Sequence, residues 1–227
     1  MKTAIITRLD CKEPVRALKM SYRGITGRVS MHGGGRAHHE SALERDWLKC
    51  LAFDPDVKSV TVQPFTMSYE YEGVVRTYTP DVLVERETPA YGAKIVVYEL
   101  KFRSELKEIW KEFRPRFRAA VELCRANDWR FKIMTELEVR TPYLANAIFF
   151  RRYAALAPQK ITEEQLLFSL KALGPTTPQA LLAASYNTRE SQQIAMPFLW
   201  RLIAHRRIAA MLDRPMSMHS AIWLPGV

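Results

Sequence analysis

The chain has 227 residues, 48% of them hydrophobic, and a formal net charge of +10, enough for one large domain or a medium one with a small companion. A sequence pI near 9.6 favours polyanionic partners, nucleic acid first and acidic membranes second. No apolar run approaches the roughly twenty residues of a spanning helix, and Met1 to Asp10 is too short and too mixed for a signal peptide, so no membrane role is expected. Cys11, Cys50 and Cys124 are odd in number and far apart, which argues against a disulfide framework and a zinc site and suits a reducing cytoplasm.

Residues 1–37 read as a basic flexible arm, with Arg23-Gly24, Gly27-Arg28 and His32-Gly33-Gly34-Gly35-Arg36. Glycine with arginine suits a segment that tracks phosphates, so Arg28 and Arg36 are candidate DNA contacts; a plain disordered terminus reads equally well. His38-His39-Glu40 is not read as a metal site, because adjacent side chains project in different directions. From Glu40 to Phe53 the spacing of Leu43, Trp47, Cys50 and Leu51 predicts a helix. Ser41-x-x-Glu44 is a capping box at its start, in which Glu44 would tie back to the Ser41 amide. Glu44 also precedes Trp47 and Leu48 by three and four positions, which sets it beside the stripe that packs on a sheet. Spacing alone leaves capping and catalysis open.

Asp54-Pro55-Asp56 stops that helix, and Val57 to Val62, Phe65 to Tyr71 and Val74 to Tyr78 follow as strands, the last two joined by a Glu72-Gly73 turn. Asp81 then opens the run Val82-Leu83-Val84, and Glu99 closes Ile95-Val96-Val97-Tyr98, with a turn expected over Thr88 to Gly92. If these strands pair antiparallel, Asp81 and Glu99 converge at one sheet edge, with Glu99 and Lys101 on one side and Leu100 turned to the core. Pro80-Asp81 followed by Glu99-Leu100-Lys101 is a metal-dependent phosphodiesterase signature. A Glu at the end of so apolar a run needs a partner or a metal, and two carboxylates with one ammonium suit Mg²⁺ held by oxygen ligands.

Ser104 to Asn127 predicts a long helix kinked or divided at Pro115, whose Arg114, Arg116 and Arg118 form a solvated face or meet phosphates. Trp129 to Met134 reads as a strand returning to the sheet, and a helix over Pro142 to Leu156 is expected to end a domain spanning 38–157. After a linker at Ala157 to Lys160, residues 158–227 predict a small domain with helices from Ile161 to Leu173, from Thr177-Pro178, and from Asn187-x-x-Glu190 through Ile203. Strand-like pieces at Arg207 to Leu212 and Ala221 to Leu224 follow. Three helices and a hairpin predict a winged helix, with Arg189, Ser191 and Gln192 where groove contacts are made; a protein-docking helical domain accounts for the pattern equally well.

Glu40 to Leu48, Phe53-Asp54-Pro55-Asp56-Val57, Gln63-Pro64-Phe65, Tyr78-Thr79-Pro80-Asp81 and Glu99-Leu100-Lys101, in that order, resemble the TnsA family, the endonuclease subunits of heteromeric bacterial transposases. The resemblance is close over about residues 38 to 135 and extends to the remainder only in layout. It implies an α/β fold, a restriction-endonuclease-like mixed sheet flanked by helices, followed by a small helical domain. It places the family's catalytic Glu, Asp and Lys on Glu44, Asp81 and Lys101. One member has Gln where Glu99 stands, whereas Glu follows the wider nuclease pattern. The implied activity is Mg²⁺-dependent hydrolysis of DNA, with Mn²⁺ as a substitute ion. Asp81, Glu99 and the Leu100 carbonyl would hold the metal, Glu44 would add a ligand, and Lys101 would orient the attacking water. The implied substrate is double-stranded DNA at transposon ends, cut on the 5′ strands. The implied partners are a TnsB-type transposase and a TnsC-type ATPase regulator, and the setting is a bacterial cytoplasm, at the nucleoid. The alternatives are a stand-alone restriction or repair nuclease and a DNA-binding scaffold with a vestigial site; intact Asp81, Glu99 and Lys101 argue against the second.

Overall fold

The computed structural model describes residues 5–9, 27–31 and 36–226 and separates into two units, Met1–Val139 and Arg140–Val227. In the first, β1 (Ile5–Leu9), β2 (Gly27–Ser30) and β3 (Arg36–His39) precede α1 (Ala42–Phe53). Then come β4 (Val57–Val62), β5 (Phe65–Tyr71), β6 (Val74–Tyr78), β7 (Val82–Ala90), β8 (Ala93–Leu100), α2 (Arg103–Ala126), β9 (Arg130–Met134) and the single-turn α3 (Glu136–Val139). Among the described residues the strands form a four-stranded sheet β4-β7-β8-β9 and a three-stranded sheet β1-β5-β6. The first is mixed, because β8 and β9 run parallel while its other pairs are antiparallel.

The apolar runs of β7 and β8 are continuous because both faces of this sheet are covered. Leu43, Leu48 and Leu51 of α1 join Val82, Val84, Val96, Tyr98 and Leu100 in one cluster. Leu83 and Val97, one residue out of phase, join Phe113, Phe117, Ala120 and Leu123 of α2 in another, together with Phe65, Met67 and Tyr78 of the three-stranded sheet. The start of β4 is clamped to β7 by Arg86, which pairs with Asp54 at 2.9 Å and Asp56 at 3.2 Å. The Phe53-Asp54-Pro55-Asp56-Val57 stretch therefore does structural work, stopping α1 and fixing the next strand.

Several expectations are corrected. The arm expected over 1–37 contains β1, paired with β5, and β2, paired with β3. Arg23, Gly24 and His32 to Gly35 lie outside the described residues. A β-carbon on Gly27 would stand 2.8 Å from His39 Nε2, so glycine here permits close approach of a ring rather than flexibility. The turn after β7 is only Tyr91-Gly92, with φ of 54° and 83°, as in two-residue hairpins. Thr88 stays in the strand because Asp56 accepts from its amide at 3.0 Å and from its hydroxyl at 2.7 Å, and Pro89 sits within a ladder irregularity between Glu85 and Ala90, where no amide is required. α2 runs through Pro115; its non-helical residue is Ile109, six residues upstream and so beyond the i−4 carbonyl that the proline ring crowds.

The second unit contains α4 (Pro142–Ala154), α5 (Lys160–Leu173), α6 (Pro178–Ser185), α7 (Arg189–Ala204), and the short strands β10 (Ala209–Ala210) and β11 (Ile222–Trp223), paired antiparallel. Thr177 caps α6 as expected, whereas α7 is capped by Thr188, one residue after the expected Asn187, its side chain accepting from the Ser191 amide. The boundary falls at Val139/Arg140 rather than 157/158, because α4 packs on α7: Phe149 and Phe150 stand 5.5 and 6.0 Å from the Trp200 ring. Asn146 adds donations to the Leu212 and Arg214 carbonyls. No helix among the described residues is long and apolar enough to cross a membrane. Phe150 is fully buried, so Phe150→Ala is expected to cost about 3–5 kcal/mol. Hydrogen exchange should then accelerate in α4 and α7 and leave β7 and β8 protected; the reverse pattern would return α4 to the first unit.

Candidate active site at the edge of the mixed sheet

Pairing of Val82 with Tyr98 sets Asp81 beside the end of β8. The Leu100 amide donates to Asp81 Oδ2 at 2.7 Å, and the Gln63 amide donates to the Asp81 carbonyl at 2.8 Å, so Asp81 is held from both flanking strands. Lys101 Nζ lies 3.1 Å from Glu99 Oε1 and 3.8 Å from Asp81 Oδ2, and donates to the Leu100 carbonyl at 3.2 Å. The Lys101 amide bonds to Met134 O at 3.1 Å, fixing the chain where it leaves the sheet. Asp81, Glu99, Leu100 and Lys101 are thus brought together as the strand pattern implied.

Glu99 is only 3% exposed. Its Oε2 accepts from the hydroxyl of Tyr78, a residue to which sequence reasoning gave no role although it lies in the stretch leading to Asp81. Burial, then the Asp81 charge, pushes the Glu99 carboxyl up to about 7. The same two causes raise Glu44 to about 7. Burial would lower the Lys101 ammonium, but Asp81 and Glu99 outweigh it and hold it above the usual lysine range. Tyr78 is raised well above its ordinary value by burial and the Glu99 charge.

Glu44 forms the cap and also stands near the candidate site. The Ser41 hydroxyl caps the Glu44 amide at 3.1 Å, and the Glu44 carboxylate accepts from the Glu40 amide at 2.8 Å and from Ser41 Oγ at 3.0 Å. The N-terminus of α1 also puts that carboxylate within the fields of Asp81 and Lys101. Beside it, Gln63 is buried with φ 48°, a strained backbone for a residue other than glycine. Its Nε2 donates to Glu40 at 3.2 Å, and its buried Oε1 has no partner.

The donor set is all oxygen, and its raised carboxyl groups mark an excess of negative charge that a small hard cation relieves. Among the described residues no three His, Cys, Asp or Glu side chains form a ready-made metal cluster, so an ion here depends on the backbone carbonyl and water as well. The remaining candidates lie elsewhere in the chain. Arg28 is exposed on β2, and Arg36 is in β3 opposite Ser30. Arg189 is exposed at the start of α7, and Gln192 donates its amide to the Tyr186 carbonyl at 2.9 Å.

Residues 54–136 match the family model of the TnsA-like endonuclease N-terminal domain. The matched segment lies within the first unit. The match includes Asp81, Glu99 and Lys101, while Glu44 and the whole second unit lie outside it. No curated protein matches the chain.

Glu44 gives the first unit a pH signature. A carboxyl raised from 4.5 to about 7 by folding contributes stability that is complete below about pH 4.5 and lost as pH rises through 7. Glutamine mimics the neutral acid and keeps the cap. Metal-free Glu44→Gln should therefore melt with wild type at pH 4.5 and above it at pH 8. Identical melting at both pH values would separate Glu44 from the Asp81 field.

Proposed function

We propose that this protein is a Mg²⁺-dependent DNA endonuclease subunit of a Tn7-type transposition system, with a restriction-endonuclease-like first unit that cuts the 5′ strands at transposon ends. The observation that carries this reading is the convergence of Asp81, Glu99 and Lys101 at one sheet edge inside the segment that matches the family. Asp81, Glu99 and the Leu100 carbonyl would hold Mg²⁺, or Mn²⁺ in its place, with Glu44 as a further ligand directly or through water. When bound, the ion supplies charge stabilisation at the phosphate and lowers the pKa of water. Lys101 orients the attacking water and offsets charge on the transition state. Tyr78 and the Leu100 amide hold Glu99 and Asp81 ready.

We read the second unit as winged-helix-like and as the recruiting part, docking on a TnsB-type transposase or a TnsC-type ATPase regulator. Ile161 and Phe168, seven apart on α5, are 84% and 72% exposed, an apolar face suited to a protein partner. With its amide engaged by Tyr186, Gln192 favours docking over base reading, and Arg189, with Arg28 and Arg36 on the first unit, supplies phosphate contacts.

Asp81→Ala and Glu99→Ala should each lower the rate roughly a hundredfold or more while DNA binding persists, because the lost interaction is made mainly in the transition state. Undiminished cutting by Asp81→Ala would remove it from the site. Mg²⁺ should raise the melting temperature more at pH 8 than at pH 5, since Glu44 and Glu99 ionise near 7 and only the ionised carboxylates attract the ion; equal gains at both pH values would place the ion elsewhere. The deciding experiment is strand-specific cleavage of an end-containing DNA with and without the adjacent transposase. Cuts on the 5′ strands that require the transposase support this reading, and efficient cutting without it supports the stand-alone nuclease.

A further inference from the structure

A groove of about 670 Å³ lies between α2 and the β5–β6 hairpin. Its walls belong to elements whose other ends reach the candidate site: β6 ends at Tyr78, which holds Glu99, and α2 begins just beyond Lys101. Tyr69 and Tyr71 line the hairpin wall, and Trp110, Lys111, Arg114 and Arg118 the helix wall. Lys107, Lys111, Arg114 and Arg118 are all exposed and recur at helical spacing, so they form one ridge. Trp110, on the same helix, is 45% exposed. The hairpin wall instead carries Glu70 and Glu72, and one of its rings is already covered, with the Arg76 guanidinium 5.5 Å from the Tyr71 centroid.

We propose that this groove is a track for single-stranded DNA leaving the cutting site. A row of cations beside an exposed aromatic ring is the chemistry that holds unpaired strands, phosphates on the basic side and a base stacked on the ring. Charge decides between one strand and two. A duplex would press one of its two phosphate chains against Glu70 and Glu72, whereas a single strand lays its only phosphate chain along α2 and turns its bases to the hairpin, where carboxylates accept from base N–H groups, the ring N3–H of thymine among them. The ridge has room for the purpose: Lys111 to Arg118, beyond the break at Ile109, spans about 10 Å at the helical rise, or about three nucleotides at the spacing of a stacked strand. The inference deepens the nuclease reading and rests on it for the origin of the strand.

The test is fluorescence anisotropy of the full chain in EDTA, with a labelled oligothymidylate of about a dozen nucleotides and a duplex of equal length. Trp110→Ala should bind the oligothymidylate about tenfold more weakly with duplex affinity unchanged, and Trp110→Phe should restore most of the loss. The triple variant Lys111→Gln, Arg114→Gln, Arg118→Gln should lower the slope of log affinity against log salt by about 2 for the single strand. Wild-type affinity in Trp110→Ala, or equal losses for single strand and duplex, overturns the proposal. So does polyglutamate bound as tightly as the oligothymidylate with the same dependence on Trp110, which would assign the groove to a protein. Asp81→Ala should keep full oligothymidylate binding, so failure of the cutting assignment and failure of the groove are read separately.

Discussion

Withdrawal of the Glu99 carboxylate from water, beside the charge of Asp81, is the constraint on which the first unit is organised. Asp81 and Glu99 meet because the β7–β8 register allows no other arrangement, and Glu99 is withdrawn from water almost completely. Raising its carboxyl to about 7 costs the charged form on the order of a few kcal/mol. That value already includes what Lys101 and the Tyr78 hydroxyl offset. The sheet that bears the cost is covered on both faces by α1 and α2. A site short of positive charge in this way suits the cation of the nuclease reading proposed above.

The supporting parts follow from the same requirement. Asp81 must not swing away from Glu99, so its backbone carbonyl is tied to Gln63 and its carboxylate to Leu100. β4 must not slip along β7, so Arg86 bonds both Asp54 and Asp56. These acids stand in the stretches that resemble the TnsA family yet lie in the clamp. Resemblance alone therefore does not distinguish a ligand from a clamp; the partner each acid finds does.

Strands β4 to β8 were legible in outline, because they are rich in branched and aromatic residues and bounded by turn signals, and their antiparallel pairing follows from chain order. The Asp81, Glu99 and Lys101 convergence was legible for the same reason: it is local to one hairpin. What was not legible depended on partners far along the chain. Asp56 reaches Thr88 and keeps it in a strand that its Pro-containing turn signal argued against. α4 looks like the end of a nuclease domain until Phe149 and Phe150 meet Trp200. Tyr78 looks like an ordinary strand tyrosine, and only the meeting of two sheets brings its hydroxyl to Glu99. β2 and β3 were hidden because glycine and arginine read as flexibility, whereas Gly27 is there to admit the His39 ring.

Glu44 shows why one residue can satisfy two demands without compromise. An N-terminal helix turn offers amides that favour an anion, and here the Glu40 amide and the Ser41 hydroxyl hold the carboxylate. Those donors lower its pKa, while burial and Asp81 raise it by more. The cap therefore does not compete with a place in the site; it supplies the fixed orientation that a group in the Asp81 field requires. Substituting the cap with an equal hydrogen-bonding amide would preserve the helix and remove only the charge, so the helix start and the chemistry are separable in this chain even though one side chain serves both.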